Sequence, residues 1–264
     1  MKTLKWINTA AFAALIVVSL LACLLPIGGN TAAQVAAAYP NLFTPDPITF
    51  AVWWIICLMP ALFVLYQWEV LDGGRYSAQM REDVGLWFAV GCALTITWIF
   101  LWHYRKIGLA MIASLLLLLT LIVLRQRLGS TGSSLQRFAA KAGSDIALGW
   151  SIAVIMIDLA VLSVSDGWSG FGLPADFWTS ALLILGAFPT AALVLRGSSP
   201  IAGLTVLWMY IGILIRHISP DALGAAHPYV ISAAFVGAAL IFSAILVWAS
   251  RQIRTNTSYR IKEG

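Results

Sequence analysis

The sequence predicts an all-α fold, a polytopic integral membrane helix bundle of about eight transmembrane helices. Three observations predict it. First, 61% of the 264 residues are hydrophobic and only 10% are charged, with a mean hydropathy of +0.89. A water-soluble globule of this size has too little interior to hide so much apolar surface. Second, apolar runs fall at about 7–26, 48–68, 84–102, 107–125, 145–164, 177–195, 200–216 and 228–250. Each is about long enough to cross a hydrocarbon core of roughly 30 Å. Third, the basic residues are asymmetric. With a cytoplasmic N-terminus, thirteen of the sixteen Lys and Arg lie in cytoplasmic segments, and only Arg105, Lys106 and Arg216 lie outside. Lys and Arg are retained on the cytoplasmic side, so both termini are expected there, in a bacterial cell (inner) membrane.

This asymmetry accounts for the net charge of +5, so no nucleic-acid partner is called for. The basic tail, 251–264, suits an anionic lipid surface. Three regions follow: a five-span bundle over 1–164, three additional spans over 165–250, and the tail.

After span one, Pro26-Ile27-Gly28-Gly29 ends the helix and opens a long outer loop without Lys or Arg. Its Ala-rich middle, Thr31 to Ala38, can form a short helix that Pro40 stops. Pro40, Pro45 and Pro47 hold the following backbone extended, so span two starts only after Pro47. Pro45, Asp46 and Pro47 thereby form a lid of defined shape. Pro60 is expected to kink span two, and residues 69–83 form a charged cytoplasmic connector. A tight turn at Arg105-Lys106 separates spans three and four. Residues 125–144 are basic and contain Gly and Ser, which suits a flexible linker. Leu20-Leu21-Ala22-Cys23 is similar to a lipoprotein cleavage box, but Leu24-Leu25 continues the apolar run and favours an intact first span. Cys23, Cys57 and Cys92 lack paired spacing and are assigned to packing. Ala233 and Gly237, four apart in span eight, suit close helix contact.

The candidate site lies in the outer half of the first five spans. Trp53 and Trp54 enter span two, and Trp98 and Trp102 share one face of span three with Thr95 a turn below. Trp150, Val154 and Asp158 repeat every four residues along span five. An ionisable side chain inside a span faces protein or a wet cavity by default. The alternative for Asp158 is a helix cap or interfacial water, since it lies about six residues, or roughly 9 Å, from the helix end. Aromatic walls bind flat apolar ring systems, and Thr95 and Asp158 are the polar groups that would orient them.

Residues 7 to about 164 resemble the TspO/MBR family, the tryptophan-rich sensory proteins or translocator proteins. Thr44-Pro45-Asp46-Pro47-Ile48-Thr49-Phe50-Ala51-Val52-Trp53-Trp54 is similar to the family's approach to helix two, with Phe50 and Trp54 on its aromatic positions. Thr95-Ile96-Thr97-Trp98 resembles the helix-three element, and Trp150, Val154 and Asp158 the helix-five element. Ile48 stands where the family commonly has Trp, Thr95 and Asp158 where it has Asn, and Val154 where it has Ala. The resemblance implies a five-helix bundle, extended here by three spans, and binding of porphyrins, haem-type tetrapyrroles or sterols. It also implies pairing as a homodimer.

Three function classes follow. The first is a sensor or carrier of a planar hydrophobic ligand. A transporter moving a small hydrophobic solute is the second; its usual broken helices and midplane polar groups are hinted at only by Asp158. The third, a membrane enzyme, is disfavoured. His103, His217 and His227 lie in or beside outer loops without ligand spacing, so no metal site is expected. No Ser or Cys nucleophile has a His base, and no Lys lies within a span to form a Schiff base.

Overall fold

The computed structural model describes residues 2–70, 82, 84–128, 134–196 and 199–263, without the side chains of 134–140 and 255–263. The helices are α1 Lys2–Leu24, α2 Ala32–Ala38, α3 Val52–Gln67, α4 Trp87–His103, α5 Ile107–Arg127, α6 Ser134–Ser165, α7 Ala175–Leu195, α8 Pro200–Ile218 and α9 Pro228–Glu263. Short 3₁₀ turns occupy Pro47–Ala51, leading into α3, and Gly170–Gly172. The protein is an all-α, multi-pass membrane bundle. Among the described residues seven helices are long and apolar enough to cross a membrane, and the eighth predicted crossing is the shorter apolar helix Trp87–His103. At 17 residues, α4 is about 25 Å long, a mismatch that local thinning of a bilayer accommodates.

Several local expectations hold for physical reasons that are visible here. Thr31 caps α2 in a capping box with Gln34. The chain turns between α4 and α5 at Arg105, whose φ is 56°. The proposed linker differs: of residues 125–144, Ser134 onward is already helix α6, and 129–133 lie outside the described residues. Most of the connector 69–83, with Arg75 and Arg81, also lies outside them. The tail 251–264 continues α9 as helix through Glu263.

Packing divides the chain into two units. The first comprises Met1–Asn41 and Phe50–Trp168, the second Leu42–Thr49 and Ser169–Gly264. In the first, α4 packs on α1, α5 on α4, and α6 on both α5 and α3. An ion pair at 2.5 Å between Arg125 and Asp145 ties α5 to α6. Lys5 meets Glu69 at 3.1 Å, and Trp68 donates to Thr9 Oγ1 at 2.8 Å, which joins the start of α1 to the end of α3.

In the second unit α7, α8 and α9 close on small residues. A Cβ added to Gly203 would run into Val194, and one added to Gly237 into the ring of Tyr210. Tyr210 is fully buried, and its hydroxyl donates to the Leu183 carbonyl. The Pro-containing segment 42–49 is clasped along α8. The Asp46 N–H donates to the Gly212 carbonyl at 3.0 Å, Trp208 Nε1–H to the Thr49 carbonyl at 3.0 Å, and Arg216 to the Thr44 carbonyl at 2.6 Å. Gly212 permits this approach, because any Cβ there would overlap the Thr49 side chain. Asp46 Oδ1 accepts from the Ile48 N–H at 3.0 Å, an Asx turn that launches the next helix. Pro45, Asp46 and Pro47, expected as a lid from the sequence, thus rest on α8 within the second unit.

Candidate functional site

Within the first unit, α6 turns Trp150, Val154 and Asp158 inward, with exposures of 4%, 7% and 0%. Complete burial removes interfacial water as the partner of Asp158. Its Oδ2 accepts from Trp98 Nε1–H at 3.1 Å and lies 2.9 Å from Ser114 Oγ on α5. Asp158 Oδ1 is buried with no hydrogen-bond partner among the described residues. Placing a carboxyl at such depth costs about 3 kcal/mol, so these donors, from two neighbouring helices, are what make the residue tolerable.

Trp98 sits at the middle of an indole ladder. Its ring centroid is 5.6 Å from that of Trp102, stacked at 22°, and 6.2 Å from that of Trp53. Trp102 Nε1–H reaches the Ala32 carbonyl at 3.4 Å, so α2 is fastened to this end of α4. Val35 of α2 is completely buried. The cover over the ladder is therefore α2.

Below the ladder the first unit is hollow. A cavity of about 130 Å³ runs from Trp53, Thr95 and Trp150 toward Tyr66, Trp87 and Leu128, away from Asp158. Among the described residues no charged side chain lines it. The sequence predicts a pocket in the opposite half, around Trp54, Trp98 and Asp158. That half is filled by indole rings and their hydrogen bonds, whereas here α4 and α6 present Gly91 and Ala147 and leave space between larger neighbours.

The predicted residues therefore separate. Trp53, Thr95 and Trp150 line the cavity, whereas Trp98, Trp102, Val154 and Asp158 pack above it. Phe50 meets Trp150 edge-on at 5.7 Å but is 39% exposed, and Trp54 at 44% faces out of the bundle. The hydroxyl of Thr95 donates to the Gly91 carbonyl at 2.9 Å. Trp150 Nε1 is buried without a partner among the described residues.

Residues missed from the sequence include Cys57, Phe63, Tyr66, Trp87 and Phe88. A helical stripe reads the first two: from Trp53, steps of three and four reach Ile56, Cys57, Pro60 and Phe63. That stripe leads down α3 and away from the Pro segment. Pro60 also deprives α3 of one internal hydrogen bond, and only 17% of this span is buried, against 56% for the α6 span.

A family model described as TSPO-like protein matches residues 5–247. The chain belongs to the TSPO-like protein family. No curated protein and no solved structure matched it. The TSPO-like match reaches well past residue 164, so it takes in α7, α8 and most of α9 besides the five spans on which the resemblance rests. In this TSPO-like chain the second unit belongs to the matched region as much as the hollow one does.

Proposed function

We propose that this TSPO-like protein binds a planar hydrophobic ligand, as a sensor or carrier, in the cavity between α3, α4, α5 and α6. The observation that carries this reading is an apolar hollow with aromatic walls, Trp53, Phe63, Trp87, Phe88 and Trp150, and no charge among its described lining residues. Such a wall gains from burying ring surface and from aromatic contact geometry. The described lining offers nothing to neutralise carboxylates, which favours an uncharged ring system of the sterol type over a porphyrin bearing free acid groups. Trp150, with its unpartnered N–H, is a donor available for one hydroxyl or carbonyl on such a ligand.

Size sharpens the proposal. A cavity of about 130 Å³ is comparable to one that accepts a single benzene ring. A four-ring ligand enters fully only if a wall moves, and α3, poorly buried and interrupted by Pro60, is the wall held least. Binding without chemical change is the activity inferred. Both termini are placed in the cytoplasm on the charge asymmetry, and the membrane is taken to be a bacterial inner membrane.

The test is quenching of Trp fluorescence in detergent or nanodiscs by a fluorescent sterol and, separately, by protoporphyrin. Saturable sterol quenching, weakened at least tenfold in Trp53→Ala and unchanged in Trp54→Ala, is expected. Equal affinity in Phe63→Ala, Trp53→Ala and wild type would remove the cavity from consideration. Tighter binding of the porphyrin would overturn the preference for an uncharged ligand.

A further inference from the structure

The last turn of α8 and the turn that follows bring together two imidazoles that sequence spacing gave no reason to pair. His217 is completely buried, and its Nδ1 lies 2.9 Å from the Ile213 carbonyl. A carbonyl only accepts, so Nδ1 carries the proton and Nε2 keeps its lone pair. That Nε2 is buried with no hydrogen-bond partner among the described residues. The chain then reverses through Gly224 and Ala225, both at positive φ. Ala225 N–H donates to the His217 carbonyl at 2.8 Å. His227 thereby arrives with its ring centroid 6.0 Å from that of His217. His227 Nδ1 lies 2.9 Å from Asp176 Oδ1, in the first turn of α7. In neutral His227 a carboxylate partner again places the proton on Nδ1 and leaves Nε2 as a free base.

We infer that His217 and His227 form a two-imidazole site for a first-row transition-metal ion, Zn²⁺ or Cu²⁺, at this end of the second unit. Each ring has its Nδ1–H held by an oxygen, one a backbone carbonyl and the other a carboxylate, which is how metal-binding histidines are commonly oriented. Two imidazoles sharing an ion through nitrogens at about 2.0 Å have ring centres roughly 5 to 6 Å apart, and the observed 6.0 Å needs little adjustment. Imidazole ligands suit Cu²⁺ and Zn²⁺ among divalent ions. No group of three His, Cys, Asp or Glu side chains is placed to hold a metal among the described residues, so water or an outside ligand completes the coordination. Asp176 acts as an orienting residue because its oxygen is engaged by His227. The side chains of His227 and Asp176 are 26% and 27% exposed, which gives an ion a route to the buried ring. The inference is independent of the ligand proposed for the first unit.

The experiment uses full-length protein purified without a polyhistidine tag. Calorimetric titration with ZnCl₂ is expected to show one ion per chain. Cu²⁺ electron paramagnetic resonance is expected to show coupling to two nitrogens. His227→Ala should weaken binding at least tenfold, and Asp176→Asn, which keeps an acceptor without charge, by roughly tenfold. His103→Ala should change nothing, although His103 has the same anchored geometry, with Nδ1 2.7 Å from the Ile99 carbonyl. Because His217 is buried, His217→Ala can disturb folding, and the partly exposed His227 carries the test without it. Absence of saturable binding, or equal affinity in wild type and His227→Ala, overturns the site.

Discussion

In the second unit a Cβ added to Gly203, Gly212 or Gly237 would collide with Val194, Thr49 or Tyr210. In the first, a Cβ at Gly91 would meet only Thr120 and Leu117, at 3.9 and 4.0 Å. Both units are built from long apolar helices that also contain small residues. In the second, those residues let neighbouring helices close up. At Gly91 and Ala147 of the first, they border the cavity. Small residues in membrane helices promote close contact only where no bulky side chain holds the helices apart. In the first unit the indole ladder and the bulky rings of Phe63, Trp87 and Phe88 hold them apart.

The largest effect that can break this contrast is at Gly237. Gly237→Ala should destabilise the protein by about 2 to 3 kcal/mol through overpacking, because Tyr210 is anchored by its hydroxyl and cannot retreat. Gly91→Ala should stay within about 0.5 kcal/mol of wild type. Thermal unfolding followed by size-exclusion chromatography reads both, and similar losses in the two would end the distinction between a closed and a hollow unit.

Next in size is Asp158. Asp158→Ala leaves the Trp98 Nε1–H without its acceptor, while the Ser114 hydroxyl keeps the Met111 carbonyl at 2.9 Å, an expected loss of about 2 kcal/mol. Asp158→Asn keeps an acceptor and should cost less than half of that. An alanine variant as stable as wild type would mean that the carboxyl does not organise the ladder.

Filling the hollow comes third. Ala147→Leu should add about 1 kcal/mol of stability, as cavity-filling changes do, while reducing sterol quenching severalfold. A variant that loses stability would show that the cavity wall is already in contact. The smallest effect is at Trp150. Trp150→Phe preserves the aromatic wall and should leave unfolding unchanged, yet weaken a hydroxylated ligand about fivefold relative to its deoxy analogue. Equal losses for both ligands would place the indole N–H elsewhere.

Much of the architecture was legible in residue order alone. The seven long apolar helices and the shorter Trp87–His103 follow from hydropathy, because a bilayer forces each span to satisfy its own backbone. The short helix after span one follows from the Ala-rich run Thr31 to Ala38 and the stop at Pro40, and the inward face of α6 from the four-residue repeat of Trp150, Val154 and Asp158. The site was legible only in part. Trp53, Thr95 and Trp150 line one space, but Trp54, one residue on from Trp53, points about a hundred degrees away around the helix and is 44% exposed.

What hydropathy, helical periodicity and proline chemistry dictate is local: how many helices there are, where they start, and which faces avoid lipid. They contain no information about which partner an extended segment chooses. The hold of α8 on residues 42–49 depends on the missing Cβ of Gly212 meeting Thr49. The depth of the cavity depends on which rings fill the space first, and the meeting of His217 with His227 on a reversal through Gly224 and Ala225. Each of these is a contact between side chains or turns distant along the chain or unrelated in period, and only the folded packing brings them within reach.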